Sequence, residues 1–121
     1  MGYVEALEAL GVDVREGMDR VMGDGDLYKM MLGMFVEVVE DDPVKVEDFD
    51  SSDNEELIKQ VHTLKGTTGN LSITPLFEGY KKTLELLRAD QPKEAKAAFE
   101  KMLPIQSEIV DCIKSHSDAA E

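Results

Sequence analysis

Leu57, Val61, Leu64, Thr68 and Leu71 recur at spacings of four, three, four and three. Such a stripe is one face of a helix turned towards a core; a half-buried strand would alternate every second residue. The helix predicted on it runs from Ser52 to Leu71, with Ser52 as N-cap and Glu55 at the third helical position. His62 lies on the same helix. At about 100° per residue it points about 140° away from the middle of the stripe, which is outward. Ile58, Lys65, Gly66 and Gly69 lie beside it. An interior glycine costs a helix about 1 kcal/mol relative to alanine. Two of them on one exposed flank, next to one histidine, need a reason. The physical one is clearance: a partner's backbone can approach the imidazole closely.

The rest of the chain reads as helix by the same criterion. Tyr3 to Leu10 carries Val4 and Leu7 on one side and stops at Gly11. Asp13 with Glu16 three residues on resembles a capping box, and Val14, Met18, Val21 and Met22 give the next helix its apolar side. Gly23 ends it and Asp24 restarts the chain. Leu27, Met31, Met34 or Phe35, and Val38 form the following stripe, broadened by Met30 and Val39. The methionines are expected to fill core, as flexible side chains do; the alternative is that Met18, Met22 or Met30 belong to an adaptable docking patch. Asp41 to Asp50 is a charged loop, pinned by Val44, Val46 and Phe49. Thr74 then Pro75 reads as N-cap and first helical residue, with Leu76, Tyr80, Leu84 and Leu87 facing inward. Pro92 opens the last helix, which carries Ala95, Phe99, Met102, Ile105 or Ile109, Cys112 and Ile113. Pro104 should kink it. Residues 115–121, with His116, are expected to form a frayed tail without a role. Short connections make neighbouring helices antiparallel. The expected fold is therefore all-α: an up-down four-helix bundle with the short N-terminal segments across one end, in one domain over residues 1–121.

Charge narrows the partners. The formal net charge is −13 over 121 residues, which argues against nucleic acid and anionic membrane surfaces, since both are held mainly by Lys and Arg. No apolar run approaches the ~18 residues that span a bilayer. Met1 to Gly11 carries Glu5 and Glu8 and no basic residue, unlike a secretory signal. One cysteine, Cys112, excludes an internal disulfide and suits a reducing compartment. Cytoplasm is the expected location.

The stretch His62-Thr63-Leu64-Lys65-Gly66-Thr67-Thr68-Gly69-Asn70 resembles the phosphorylated helix of histidine-containing phosphotransfer (HPt) domains. That family's motif is a histidine, a lysine three residues on, and glycines four and seven on. The resemblance implies a phosphorelay intermediate: His62 accepts a phosphoryl group on Nε2 from the aspartate of a receiver domain and passes it to another receiver. Lys65 would place positive charge by the phosphoryl oxygens, Gly66 would give the partner access, and Ile58, Thr63, Gly69 and Asn70 would line the docking face. The partners implied are response-regulator receivers and a hybrid sensor histidine kinase, with this chain acting as a monomer. It would hold no cofactor, the Mg²⁺ belonging to the receiver. The family also carries a polar or basic residue on the following helix that contacts the imidazole or phosphate. Lys81 and Lys82 are the candidates, although Leu84-Glu85 falls one residue later than the family's spacing.

The chemistry is consistent with the residues themselves. An imidazole ordinarily titrates near pH ~6.5, so at neutral pH one ring nitrogen has a free lone pair and can act as a nucleophile. Phosphoryl transfer asks a protein for positioning and charge more than for bond-making groups. Other uses of His62 fail on spacing. A helical zinc pair needs a second ligand four residues away, where Ile58 and Gly66 stand; a di-iron carboxylate bundle needs Glu at position 59, which is Lys59. No G-x-x-x-x-G-K phosphate loop is present, so the chain is not expected to be an enzyme that phosphorylates itself from ATP. Two alternatives stay open: a non-phosphorylated helical adaptor using the same face, and the phosphorylatable domain of a larger chemotaxis-type kinase.

Overall fold

The computed structural model describes residues 2–50 and 54–117. Among them every regular element is helical. The chain order is α1 (Gly2–Ala9), α2 (Val14–Arg20), α3 (Gly25–Asp41), a 3₁₀ turn (Val46–Asp50), α4 (Glu55–Asn70), α5 (Thr74–Arg88) and α6 (Pro92–Ser117). α4 packs along α5 and α5 along α6, while α1, α3 and the 3₁₀ turn pack on α6; α3 touches α4 only lightly. Among the described residues no helix is long and apolar enough to cross a membrane.

Local chemistry sets the helix starts. The Asp13 carboxylate accepts the Glu16 N–H at 3.1 Å, and the Asp24 carboxylate accepts the Leu27 N–H at 3.1 Å. Each satisfies one of the unpaired donors of a first turn. The predicted cap Ser52 lies outside the described residues; α4 starts at Glu55 after Asn54. α5 starts one residue earlier than expected, with Thr74 inside the helix and Ile73 before it. Thr74 spends its hydroxyl on the Ser72 carbonyl. The helix containing Pro104 runs on through Ser117, so Ser115 to Ser117 are helical and only 118–121 of the expected tail lie outside the described residues.

The core contains the predicted stripe of α4 in full: Leu57, Val61, Leu64, Thr68 and Leu71 are all buried. Thr68 is tolerated there because its hydroxyl donates to the Leu64 carbonyl at 2.8 Å. Leu76, Tyr80, Leu84 and Leu87 of α5 and Ala95, Phe99, Met102, Ile109 and Ile113 of α6 are buried too. Between Ile105 and Ile109, it is Ile109 that faces inward, and Ile105 is exposed. Phe49 anchors the acidic loop by stacking at 5.2 Å from Phe99.

α3 corrects the sequence expectation. Its buried face is Tyr28, Leu32, Phe35 and Val36, rotated from the predicted stripe. Leu27, Met30, Met34 and Val38 are exposed, and Met22 before them is 95% exposed. The core-filling role expected of these methionines fails; among the described residues Met102, at 4%, is the methionine that fills core, while Met18 and Met31 pack partly buried against it. The cause is Tyr28. Its ring is fully buried and its hydroxyl donates to the Leu71 carbonyl at 2.8 Å, which fixes the rotation of α3.

Burial pushes the Tyr28 and Tyr80 hydroxyls far above the usual tyrosine range. In the unfolded chain each ionises near pH ~10. Above that pH the unfolded state binds fewer protons than the native state, so stability present at neutral pH is lost as pH rises. The expected loss is about 1.4 kcal/mol per pH unit per tyrosine above pH ~10. Urea midpoints measured from pH ~8 to ~11 should fall accordingly, and Tyr80→Phe should halve the slope. A midpoint independent of pH over that range would contradict the assignment.

Candidate functional site

α4 presents three surfaces. The outermost carries His62, Thr63, Gly66 and Asn70, all exposed. A Cβ added at Gly66 would meet nothing within 4 Å. The helix is therefore bare one turn from the imidazole, as the clearance argument requires.

The second surface turns towards α5. Lys65 is half-buried there, and Ile58 is half-buried against the core rather than standing free. Gly69 differs from Gly66. A Cβ at Gly69 would lie 3.1 Å from the Phe77 ring, so this glycine permits close packing of α4 on α5. The structure thus gives Gly69 a packing role against α5, while it stays partly exposed on a cleft shared with Phe77 and Glu78.

That contact also sets the register of the α4–α5 hairpin. Both helices rise equally per residue. Counting back from Gly69 opposite Phe77 brings Lys81 level with Lys65, and Leu84-Glu85 level with Val61-His62. Leu84 is buried and Glu85 exposed, so Glu85 is the polar residue of α5 at the height of the imidazole. Lys81 and Lys82 separate here. Lys82 lines a groove on the other flank of α5, with Gly79, Met102 and Ile105. Lys81 is on the flank of α5 that continues from Phe77 towards Lys65.

The third surface faces α3. Thr67 and Asn70 share a cleft with Met31 and Met34, and Thr63 shares another with Val38, Lys59 and Gln60. The light packing of α3 on α4 leaves these clefts open. The exposed stripe Leu27, Met30, Met34 and Val38 is consequently continuous with the face that bears His62.

The far end of α4 is tied down by Arg20 and Ser72, to which the sequence assigned no role, together with Glu16 and Asp13 of the predicted capping box. The Arg20 guanidinium donates to the Gly69 carbonyl at 2.7 Å and the Asn70 carbonyl at 3.3 Å, to the Ser72 hydroxyl, and to Glu16 at 3.0 Å. The Ser72 hydroxyl donates to Glu16 at 2.7 Å, and the Asp13 N–H donates to the Ser72 carbonyl at 2.9 Å. A cation at a helix C-terminus satisfies its free carbonyls and complements its dipole. Ser72 is held at φ 56° by this network. The local signal available in sequence was the Glu16–Arg20 spacing of four; the long-range partners gave none.

Comparison with family models, curated proteins and solved structures found no match to this chain.

Proposed function

We propose that this chain is an HPt phosphocarrier: His62 takes a phosphoryl group from a receiver-domain aspartate and hands it to another receiver. The observation that carries the reading is the exposed His62 with a bare Gly66 beside it and Lys65 one turn along. Helices α3 to α6 would form the up-down four-helix bundle of that family, with α1 and α2 accessory to it.

The exchange runs in line. A ring nitrogen of His62 attacks phosphorus, the P–N bond forms as the bond to the aspartyl oxygen breaks, and that oxygen leaves as carboxylate. Lys65 supplies positive charge to the phosphoryl oxygens as they pass. The Mg²⁺ of the reaction belongs to the receiver. The apolar stripe of α3 beside His62 supports docking of a receiver across α3 and α4. The acidity of the chain favours a partner with a basic docking face.

Transfer from phosphorylated receivers of the source organism, followed as acid-labile label, tests the reading. His62→Gln is expected to take no label, and Lys65→Ala to slow labelling about tenfold to a hundredfold with the helical signal unchanged. If His62→Gln labels as wild type does, the reading is wrong. The adaptor alternative draws on the same α3 stripe, which can bind whether or not His62 is modified. It predicts receiver binding without label.

A further inference from the structure

The methionine sulfurs of the described residues are sorted by depth. Met102 is 4% exposed, packed so closely on α5 that a Cβ at Gly79 would lie 2.5 Å from its sulfur. Met18 and Met31 are partly buried against the core. Met22, Met30 and Met34 are 95%, 57% and 55% exposed. Met22 stands in the turn that leads into α3, and the other two lie on α3 itself. Met30 and Met34 stand one turn apart on the open stripe of α3, and Met34 lines the cleft with Thr67 and Asn70 of α4. Met22 lies two residues after Arg20, whose guanidinium is bonded to the end of α4. Its backbone is left-handed, at φ 57°, a conformation that side chains other than glycine and asparagine adopt at a cost. That backbone closes α2, with the Met22 N–H donating to the Asp19 carbonyl and the Gly23 N–H to the Met18 carbonyl, and it leaves the thioether in solvent, outside the core.

We propose that Met22, Met30 and Met34 form a peroxide-sensitive modification site whose sulfoxidation reversibly closes the docking face. The modification itself stands on the exposures; its effect on docking rests on the phosphocarrier reading above. The thioether sulfur attacks one oxygen of hydrogen peroxide and the O–O bond breaks. That oxygen stays on sulfur as the sulfoxide, and the other leaves with the proton as water. Sulfur gives up two electrons and the peroxide is reduced by two. A flexible apolar side chain becomes a polar, chiral one. On an apolar docking stripe the new S=O group must be stripped of water without a partner. The core face of α3, made by Tyr28, Leu32, Phe35 and Val36, is untouched, so the fold survives. Sulfoxide reductases reverse the step, one enzyme for each epimer.

The test oxidises the full chain with hydrogen peroxide and then treats it with dithiothreitol, which restores Cys112 and leaves sulfoxides in place. Peptide mass spectrometry should find Met22, Met30 and Met34 oxidised at least about tenfold faster than Met102, with the circular dichroism unchanged and all three reduced again by the two reductases. Equal oxidation of Met102, or loss of helicity in step with oxidation, overturns the site. Labelling by a phosphorylated receiver that labels the untreated chain should fall at least about tenfold after oxidation and return after reduction. In Met22→Leu/Met30→Leu/Met34→Leu, peroxide should leave the variant's own rate unchanged. Wild-type labelling at the untreated rate with all three sulfoxides in place overturns the switch. If the untreated chain takes no label from any receiver, the phosphocarrier reading fails and the switch falls with it, while the oxidation map still decides the modification site.

Discussion

Replacing Gly17 with alanine should destabilise the fold by about 2–4 kcal/mol, a large share of the ~5–15 kcal/mol typical of a domain. Gly17 is buried on α2, and its Cβ would lie 2.5 Å from the Tyr28 ring and 2.7 Å from the Leu71 carbonyl oxygen. Neither can yield cheaply. The Tyr28 side chain is fully buried, and the Leu71 oxygen is main chain already accepting the Tyr28 hydroxyl. Alanine would have to push the ring off that carbonyl or part α2 from the end of α4. The first route leaves a buried hydroxyl and a buried carbonyl unpaired, at about 1–3 kcal/mol for each group lost; the second breaks the bonds of Arg20 and Asp13 to the end of α4. The better helix propensity of alanine returns about 1 kcal/mol. Gly33→Ala is the internal comparison: its Cβ meets nothing within 4 Å, so only the propensity gain remains and stability should rise. Urea unfolding of both variants checks the pair. A Gly17→Ala protein within about 0.5 kcal/mol of wild type, the range of an ordinary surface substitution, would mean that α2 and α3 do not meet at α4 as described.

The Tyr28–Leu71 contact also marks where the sequence stopped being informative. Caps at Asp13 and Asp24 were legible because donor and acceptor lie three residues apart in the chain. The stripes of α4 and α5 were legible because polar residues separate their apolar ones. α3 offers no such contrast: apolar residues surround it from Leu27 to Val39, and periodicity cannot select one face when several are apolar. A single hydroxyl reaching a carbonyl 43 residues away makes the choice. The methionine stripe could not be assigned to the surface before that bond was known. The same limit hid Arg20, whose main-chain acceptors at Gly69 and Asn70 are 49 and 50 residues away. At the site, the outward direction of His62 followed from the helical repeat alone. The difference between Lys81 and Lys82 did not. It depends on which flank of α5 meets α4 and which meets α6, and Phe77 and Gly79 reveal that only once the helices are packed.

Gly66→Leu should raise stability and abolish transfer together. With no atom within 4 Å of a Cβ at this position, the substitution removes the cost of an interior glycine and stabilises α4 by about 0.5–1 kcal/mol. The same side chain would project into the space through which a receiver must approach His62. A displacement of the reacting groups by about 1 Å can cost a hundredfold in rate, so label transfer should fall by at least that factor while the unfolding midpoint rises. Gly69→Leu has a different signature. Its side chain would start 3.1 Å from the Phe77 ring, so it should lose stability first, and any loss of transfer should follow the loss of fold. Two glycines three residues apart, alike in sequence, thus separate into one that keeps a path open and one that lets two helices close. Unfolding and label transfer measured on both variants distinguish these roles. Transfer at the wild-type rate by a folded Gly66→Leu protein would leave the bare flank beside His62 without a function, and the phosphocarrier reading would lose the observation on which it stands.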